Sequence, residues 1–207
     1  MRIYDISMMV EPGIPVWPGD SRFGFDWTMR MSGGDTVNVT RLTMSPHTGT
    51  HADSFFHVAN DALAMSAMPL EAYIGPARVL DAPGDGPIDV ARLEGLDWRG
   101  ATRLLFKTRL RRVTEPYSVP FAHLTPEAVA LMGPANILLV GLDTPSMDEF
   151  HSKTLDAHLA LVKAGIANLE NLDLTDVPPG DYELIALPLK LMGLDGSPVR
   201  AILRSPA

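Results

Sequence analysis

The chain has 207 residues, with 17 Lys+Arg against 25 Asp+Glu, a formal net charge of −8 and no cysteine. Without cysteine, the chain cannot form disulfides, thiolate metal sites or a thiol nucleophile. An acidic chain is a poor ligand for nucleic acids or anionic membranes, because binding them needs clustered Lys and Arg, so we expect neither as a partner. The 46% apolar content is ordinary for a soluble globular protein, and the length suits one domain over residues 1–207.

The N-terminal residues do not have the pattern of a secretory signal. Asp5 lies where the apolar run of a signal peptide would begin, and Glu11 follows it closely. The longest uncharged stretch, 128–142, is too short to span a bilayer. We therefore expect a cytoplasmic protein without a membrane span.

Strand patterns occur along most of the chain. The 17 Gly and 18 Pro are widely spread, which favours short elements joined by tight turns. An apolar stretch opens the chain, and Phe23, Phe25, Trp27 and Met29 alternate with small or polar residues, which predicts a half-buried strand. Further strands are predicted at 37–44, 77–80, 104–106, 137–140, 182–187 and 199–203.

Helix patterns are fewer. A short helix is predicted at 88–96, and a second begins after the N-cap residue Thr125 and ends at Gly133. A third is predicted at 153–164, with Gly165 just past its end. The sum is a β-rich α/β fold. The irregular order of strands and helices, with no Gly-rich phosphate loop, excludes a doubly wound nucleotide-binding fold.

Three of the six histidines lie in one short segment, His47-Thr48-Gly49-Thr50-His51-Ala52-Asp53-Ser54-Phe55-Phe56-His57. Imidazole and carboxylate groups are the ligands that bind Zn²⁺ or Mn²⁺ where sulfur is absent. A single histidine is usually a surface or core residue, but this density predicts a metal site.

The spacing in this segment indicates its geometry. A proline, a glycine and two threonines oppose the helix that would place His47 and His51 on one face. In an extended segment, His51 and Asp53 point to the same side. His57 would lie ~13 Å beyond Asp53 on a straight strand, so it can approach the metal only if 54–56 bends. We expect a curved loop that makes His57 a catalytic residue or a neighbour of the ligands.

Two further candidates lie downstream. His158 is on the apolar face of the predicted helix 153–164, where a histidine is usually a hydrogen-bonded core residue unless a metal is present. Glu170 lies in the mostly apolar stretch 166–172, where a carboxylate is costly to bury unless it is paired or bound to a cation. A solvent-facing strand position is an equal alternative for Glu170. The residues alone leave both questions open.

The whole sequence resembles the metal-dependent kynurenine formamidases, members of the broader cyclase-like amidohydrolases. Several segments carry this resemblance: Pro15-Val16-Trp17-Pro18-Gly19-Asp20, the motif 47–57, Ser152-Lys153-Thr154-Leu155-Asp156-Ala157-His158 with the stretch around Glu170, 176–184 and 197–201. The motif at 47–57 marks the wider family, and the Trp17 loop and the C-terminal segments are similar to those of the formamidases.

The resemblance implies two zinc ions in each active site, with Mn²⁺ as a further option. By position, one ion would be bound by His47, His51, Asp53 and Glu170. The other would be bound by Asp53, His158 and Glu170, so that both carboxylates bridge the two ions.

The resemblance also implies a reaction, a fold and an assembly. His57 would donate and accept protons, and Trp17 would pack on a small aryl formamide substrate. The reaction would be hydrolysis of N-formyl-L-kynurenine to L-kynurenine and formate, in tryptophan degradation by the kynurenine pathway. The fold would be the swivelling β/β/α fold, a mixed, barrel-like sheet flanked by a few helices, in a homodimer.

Four positions depart from the formamidase pattern without removing a predicted ligand. Phe55 replaces a common proline, Val58 replaces an aromatic residue, and Ser21-Arg22 replaces Thr-Pro. These changes affect the loop path and the specificity. One alternative is therefore a cyclase-family hydrolase of isatin or a related cyclic amide, with one Mn²⁺. A second alternative is a non-catalytic metal-binding protein, against which the presence of His57 argues.

Overall fold

The computed structural model describes residues 1–109 and 120–206, which contain short strands and three α-helices joined by turns. The strands are β1 (Ile3–Asp5), β2 (Gly24–Met29), β3 (Val39–Thr43), β4 (His51–Asp53), β5 (Ile74–Asp81), β6 (Pro87–Ile88), β7 (Arg103–Lys107), β8 (His123–Leu124), β9 (Leu139–Leu142), β10 (Ala167–Leu169), β11 (Gly180–Ile185), β12 (Gly196–Pro198) and β13 (Ile202–Arg204). The helices are α1 (Val90–Glu94), α2 (Pro126–Met132) and α3 (Asp156–Ala164).

A seven-stranded mixed sheet forms the frame, in the order β1-β13-β11-β5-β7-β9-β10. The strands from β1 to β5 in this order are antiparallel neighbours, and β5, β7, β9 and β10 run parallel. The sheet curls into a half-barrel. The predicted β-rich α/β class with a mixed, barrel-like sheet and few helices is confirmed.

The hydrophobic core lies on both faces of this sheet. Successive side chains of a strand point to opposite faces. Leu104 and Phe106 therefore pack with α1, α2 and α3, whereas Leu105 packs on the other face with Ala52 of β4. This second cluster supports β4, which carries two of the predicted metal ligands.

The helices follow the predicted end signals, with one difference. The Thr125 hydroxyl accepts a hydrogen bond from Ala128 N at 3.3 Å, as predicted for the N-cap of α2. Gly165, with a φ of 70°, follows the last residue of α3 as predicted. However, α3 begins at Asp156 rather than at 153, because Leu155 has a left-handed backbone with a φ of 51°. Among the described residues, no helix is both long and apolar enough to cross a membrane.

The prediction of a half-buried strand at 23–29 is wrong in one respect. β2 and β3 pair only with each other, and no other described strand extends their two-stranded sheet. The side chains that should be inside are therefore exposed, with Phe25 at 44% and Trp27 at 43% of their full accessibility.

Candidate metal centre

Backbone pairing places β4 between two other segments. On one side, β4 pairs with β12, with Asp53 opposite Gly196. On the other side, His51 and Glu170 form an antiparallel bridge. The chain then turns through a 3-10 helix, Phe55–His57, which provides the bend expected between Asp53 and His57. The local fold thus brings the motif 47–57 and Glu170 together.

One oxygen of each buried carboxylate faces His47 or His51. Asp53 Oδ1 lies 2.9 Å from His47 Nδ1 and 3.4 Å from His51 Nε2. Glu170 Oε2 lies 3.4 Å from the same His51 Nε2.

The remaining carboxylate oxygens face His158. His158 Nε2 lies 3.1 Å from Glu170 Oε1 and 3.4 Å from Asp53 Oδ2. Asp53 and Glu170 therefore each present one oxygen to the His51 side and the other to the His158 side.

Neighbouring groups orient two of the imidazoles. His51 Nδ1 lies 2.9 Å from the carbonyl oxygen of Gly49, and His158 Nδ1 lies 2.6 Å from Asp148 Oδ2. When these Nδ1 atoms donate, each Nε2 is left to face the two carboxylates. Asn168 Nδ2 also donates to Asp53 Oδ2 at 2.6 Å.

The donor set fits a divalent cation. His51, Asp53, His158 and Glu170 are buried, and burying carboxylates is costly without a compensating charge. Asp53 Oδ1 has no hydrogen bond from the described residues, because its short contact with His47 Nδ1 lacks hydrogen-bond geometry. A buried, unpaired carboxylate oxygen among imidazole nitrogens is suited to Zn²⁺ or Mn²⁺.

Protons hold the charge balance when no cation is bound. Burial disfavours the charged form of His51, but its close contacts with the Asp53 and Glu170 carboxylates outweigh burial and raise its pKa to about 10. Burial would likewise raise the pKa of Asp53, but its close contacts with His158, His47 and His51 hold that pKa well below its usual value. Protonated histidines thus occupy the position of the positive charge that a metal ion would bring.

A cavity of about 510 Å³ opens in front of these groups. Its wall includes Trp17, whose ring centroid lies 4.9 Å from that of Phe150. His57 lines it with a side chain that is 30% exposed, and its ring centroid lies 4.5 Å from that of His47. Every predicted site residue except Asp53 lines this cavity, and Asp53 contacts the lining histidines from the buried side. Their individual roles stay predictions.

Four residues near the site were not predicted: Asp148, Phe150, Asn168 and Asp195. Asp148 precedes α3 by a few residues, and its carboxylate accepts hydrogen bonds from the first turn of that helix, Ala157 N at 2.8 Å and His158 N at 3.1 Å. The polar run around 148 was the signal available in the sequence. Asp195 reaches the site only through the β12–β4 pairing, which no local pattern reveals.

Comparison with known proteins agrees with this geometry. A model of the Cyclase family matches residues 4–149. The structure superposes on a potential metal-dependent hydrolase with cyclase activity (27% identity, TM-score 0.84, 99% of each chain covered). It also superposes on a "predicted metal-dependent hydrolase" from Bacillus stearothermophilus (27% identity, TM-score 0.83, 98% of this chain and 97% of that chain).

A third solved structure is an isatin hydrolase A from Labrenzia aggregata, bound to benzyl benzoate. It is 28% identical, with a TM-score of 0.80 over 98% of this chain and 93% of that chain. The fold, the buried cluster of imidazoles and carboxylates, and the family match agree. The chain therefore belongs to the Cyclase family and has the fold of its metal-dependent hydrolases.

Proposed function

We propose that the chain hydrolyses N-formyl-L-kynurenine to L-kynurenine and formate. The observation that carries this proposal is one cavity that joins an aromatic wall, Trp17 and Phe150, to the cluster of predicted metal ligands and to His57. Such a cavity suits an amide attached to an aromatic ring, since the rings can stack on the wall while the amide lies at the cluster.

The predicted ligands would hold two divalent cations, Zn²⁺ or, alternatively, Mn²⁺. His47, His51, Asp53 and Glu170 would hold one, and Asp53, His158 and Glu170 the other. Support comes from Asp53 and Glu170, each of which presents one oxygen to either side. When bound, the cations would supply Lewis-acid chemistry that activates water and polarises the formyl oxygen.

His57 is proposed as the general acid. Hydrolysis adds water to the formyl carbon and breaks its bond to the aniline nitrogen, which leaves readily only as the neutral amine. His57 donates the proton that this nitrogen requires. Its ring lines the cavity and is partly open to solvent, from which it can be reprotonated.

Isatin is the second candidate substrate. It too carries an amide on an aromatic ring, and the match to isatin hydrolase A supports it. The charged side chains Asp20 and Lys153 in the cavity lining favour the formamide, because N-formylkynurenine carries an ammonium and a carboxylate whereas isatin carries neither.

The test is hydrolysis by protein loaded with Zn²⁺ or Mn²⁺ and analysed for metal content. We expect kynurenine and formate from N-formylkynurenine, with a higher kcat/KM than for isatin, and two metal ions per chain. His57→Ala should keep the metal and lose about 100-fold or more of kcat, since general acid–base catalysis contributes about 10²–10⁴-fold. His123→Ala is the matched control, because His123 lies outside the cavity. Faster turnover of isatin than of N-formylkynurenine would make isatin the substrate instead. No hydrolysis of either compound by the metal-loaded chain would reject the proposal.

A further inference from the structure

Asp195 is held beside the predicted metal ligands by its backbone. Its carbonyl oxygen accepts a hydrogen bond from Ser54 N at 2.8 Å, and the next residue, Gly196, pairs with Asp53 across the β12–β4 ladder. The position of Asp195 therefore follows that of β4, not that of a separate loop.

A single carboxylate oxygen of Asp195 faces two histidines. Asp195 Oδ2 lies 2.9 Å from His47 Nε2 and 3.7 Å from His57 Nδ1. The other nitrogen of the His47 ring, Nδ1, lies 2.9 Å from Asp53 Oδ1. His47 is thus placed between two carboxylates, and Asp195 is placed between a predicted metal ligand and the proposed general acid.

This arrangement has a known chemical consequence. A histidine that binds a metal through one ring nitrogen usually donates the N–H of its other nitrogen to a carboxylate or carbonyl, which fixes the tautomer and the ring orientation. For His51 that partner is the carbonyl oxygen of Gly49, and for His158 it is the carboxylate of Asp148. For His47 the group in this position is Asp195.

We infer that Asp195 is a positioning residue that serves two functions of the site at once. It holds His47 with Nδ1 directed at the metal position, and it holds His57 over the cavity. The inference rests on the proposed function for the role of His57, but the part that concerns His47 depends only on metal binding.

Substitution of Asp195 tests the first part through metal affinity. Asp195→Ala should weaken Zn²⁺ binding by about 10–100-fold in a chelator competition, the usual effect of losing such a partner, with the number of ions per chain unchanged. Asp195→Asn can still accept one hydrogen bond and should lose less. Asp61→Asn is the matched control, since it removes the same charge from an exposed turn. Wild-type affinity in Asp195→Ala would overturn the inference, and so would the loss of one bound ion, which would make Asp195 itself a ligand.

A double-mutant cycle tests the second part. If Asp195 acts through His57, Asp195→Asn should lower kcat in the wild-type background and cause little further loss in His57→Ala. If the double variant loses kcat by the product of the two single losses, Asp195 does not act through His57. The affinity measurement needs no substrate, so a wild-type chain that fails to hydrolyse N-formylkynurenine rejects the proposed function and leaves the role of Asp195 at His47 to be decided separately.

Discussion

The backbones of His51 and Glu170 are hydrogen bonded in both directions, His51 N to Glu170 O at 3.3 Å and Glu170 N to His51 O at 3.0 Å. Because backbone atoms make this connection, His51 and Glu170 are neighbours through the fold itself and do not need a metal ion to bring them together. The site is therefore assembled by the fold, and its two buried carboxylates need protons on the histidines or cations to balance their charge.

The first prediction concerns the stability of the metal-free protein against pH. The pKa of His51 rises from an ordinary value of 6.5 to about 10 on folding. A raised pKa contributes stability that is complete below the unfolded value and is lost as the pH rises through the folded value. The Tm of protein treated with chelator should therefore fall as the pH rises from 6.5 towards about 10.

The Zn²⁺-loaded protein should not show this fall. Histidines bind the metal without their protons, so His51 carries no proton in the Zn²⁺-loaded chain and none in the unfolded chain above its ordinary value of 6.5. The Tm should therefore stay nearly constant over the same range, while the Zn²⁺ affinity rises. Metal-free Glu170→Gln should show a shallower slope, because one of the two carboxylates that stabilise the charged His51 is neutral. Glu149→Gln, an exposed carboxylate, is its control. Equal slopes with and without metal would contradict the proposed exchange of protons for cations.

The second prediction concerns the room that Gly196 leaves for His47. A Cβ at position 196 would lie 3.0 Å from His47 Cε1 and 3.2 Å from the Ala52 carbonyl oxygen. The carbonyl belongs to the β4 backbone, so the His47 ring must move. Gly196→Ala should weaken Zn²⁺ binding by about 10-fold or more, as changes around ligands do. Gly33→Ala, which meets nothing within 4 Å, is the control. Unchanged affinity in Gly196→Ala would argue against His47 as a ligand.

The sequence predicts those parts of the site that depend on residues close together in the chain, and leaves open or misses those that depend on residues far apart in it. The density of histidines at 47–57 and the extended geometry of His51 and Asp53 are local properties, and β4 with its following turn has the expected form. His158 and Glu170 remained open from the residues alone, because their neighbours are brought in by the parallel pairing of β10 with β9 and by the bridge to His51. Asp195 required the β12–β4 pairing, which connects residues far apart in the sequence and leaves no periodic signal.

In the exposed β2–β3 hairpin, a local pattern predicts the strand correctly but not its burial. The alternation at 23–29 is correct as a strand pattern, but alternation indicates only that one face is apolar. It does not indicate which molecule covers that face. β2 has only β3 as a partner among the described strands, so the burial implied by the pattern is not provided by this part of the chain.

The third prediction concerns specificity. Lys153 lines the cavity and is exposed, and it would attract the carboxylate of N-formylkynurenine. Lys153→Met should raise the KM for this substrate by up to about 5-fold, because an exposed ion pair contributes up to about 1 kcal/mol. Hydrolysis of formanilide, which has the formamide but no charge, should not change. Lys163→Met, in the last turn of α3, is the control. An equal effect on both substrates would assign Lys153 to another role.

The last prediction concerns the homodimer, which the sequence resemblance implies and which we propose forms through the β2–β3 hairpin. In the antiparallel register Phe25 is opposite Leu42 and Asp26 is opposite Arg41. One face is therefore apolar, whereas the other carries an ion pair between Asp26 and Arg41 at 2.7 Å. If two copies pair through this face about a two-fold axis, the apolar face of each copy is buried against that of the other.

Substitution on each face of this hairpin distinguishes such an interface from a bare surface. Light scattering after size-exclusion chromatography should give a dimer for the wild-type chain. Trp27→Asp, on the apolar face, should raise the dimer Kd by about 10-fold or more, because burial of a large apolar side chain contributes about 1.5–3 kcal/mol. Thr43→Asp places the same charge on the opposite face, the face of Arg41, and should leave the dimer intact. A wild-type monomer, or equal weakening by both variants, would reject the hairpin as the interface, since only the apolar face is predicted to be covered by the second copy.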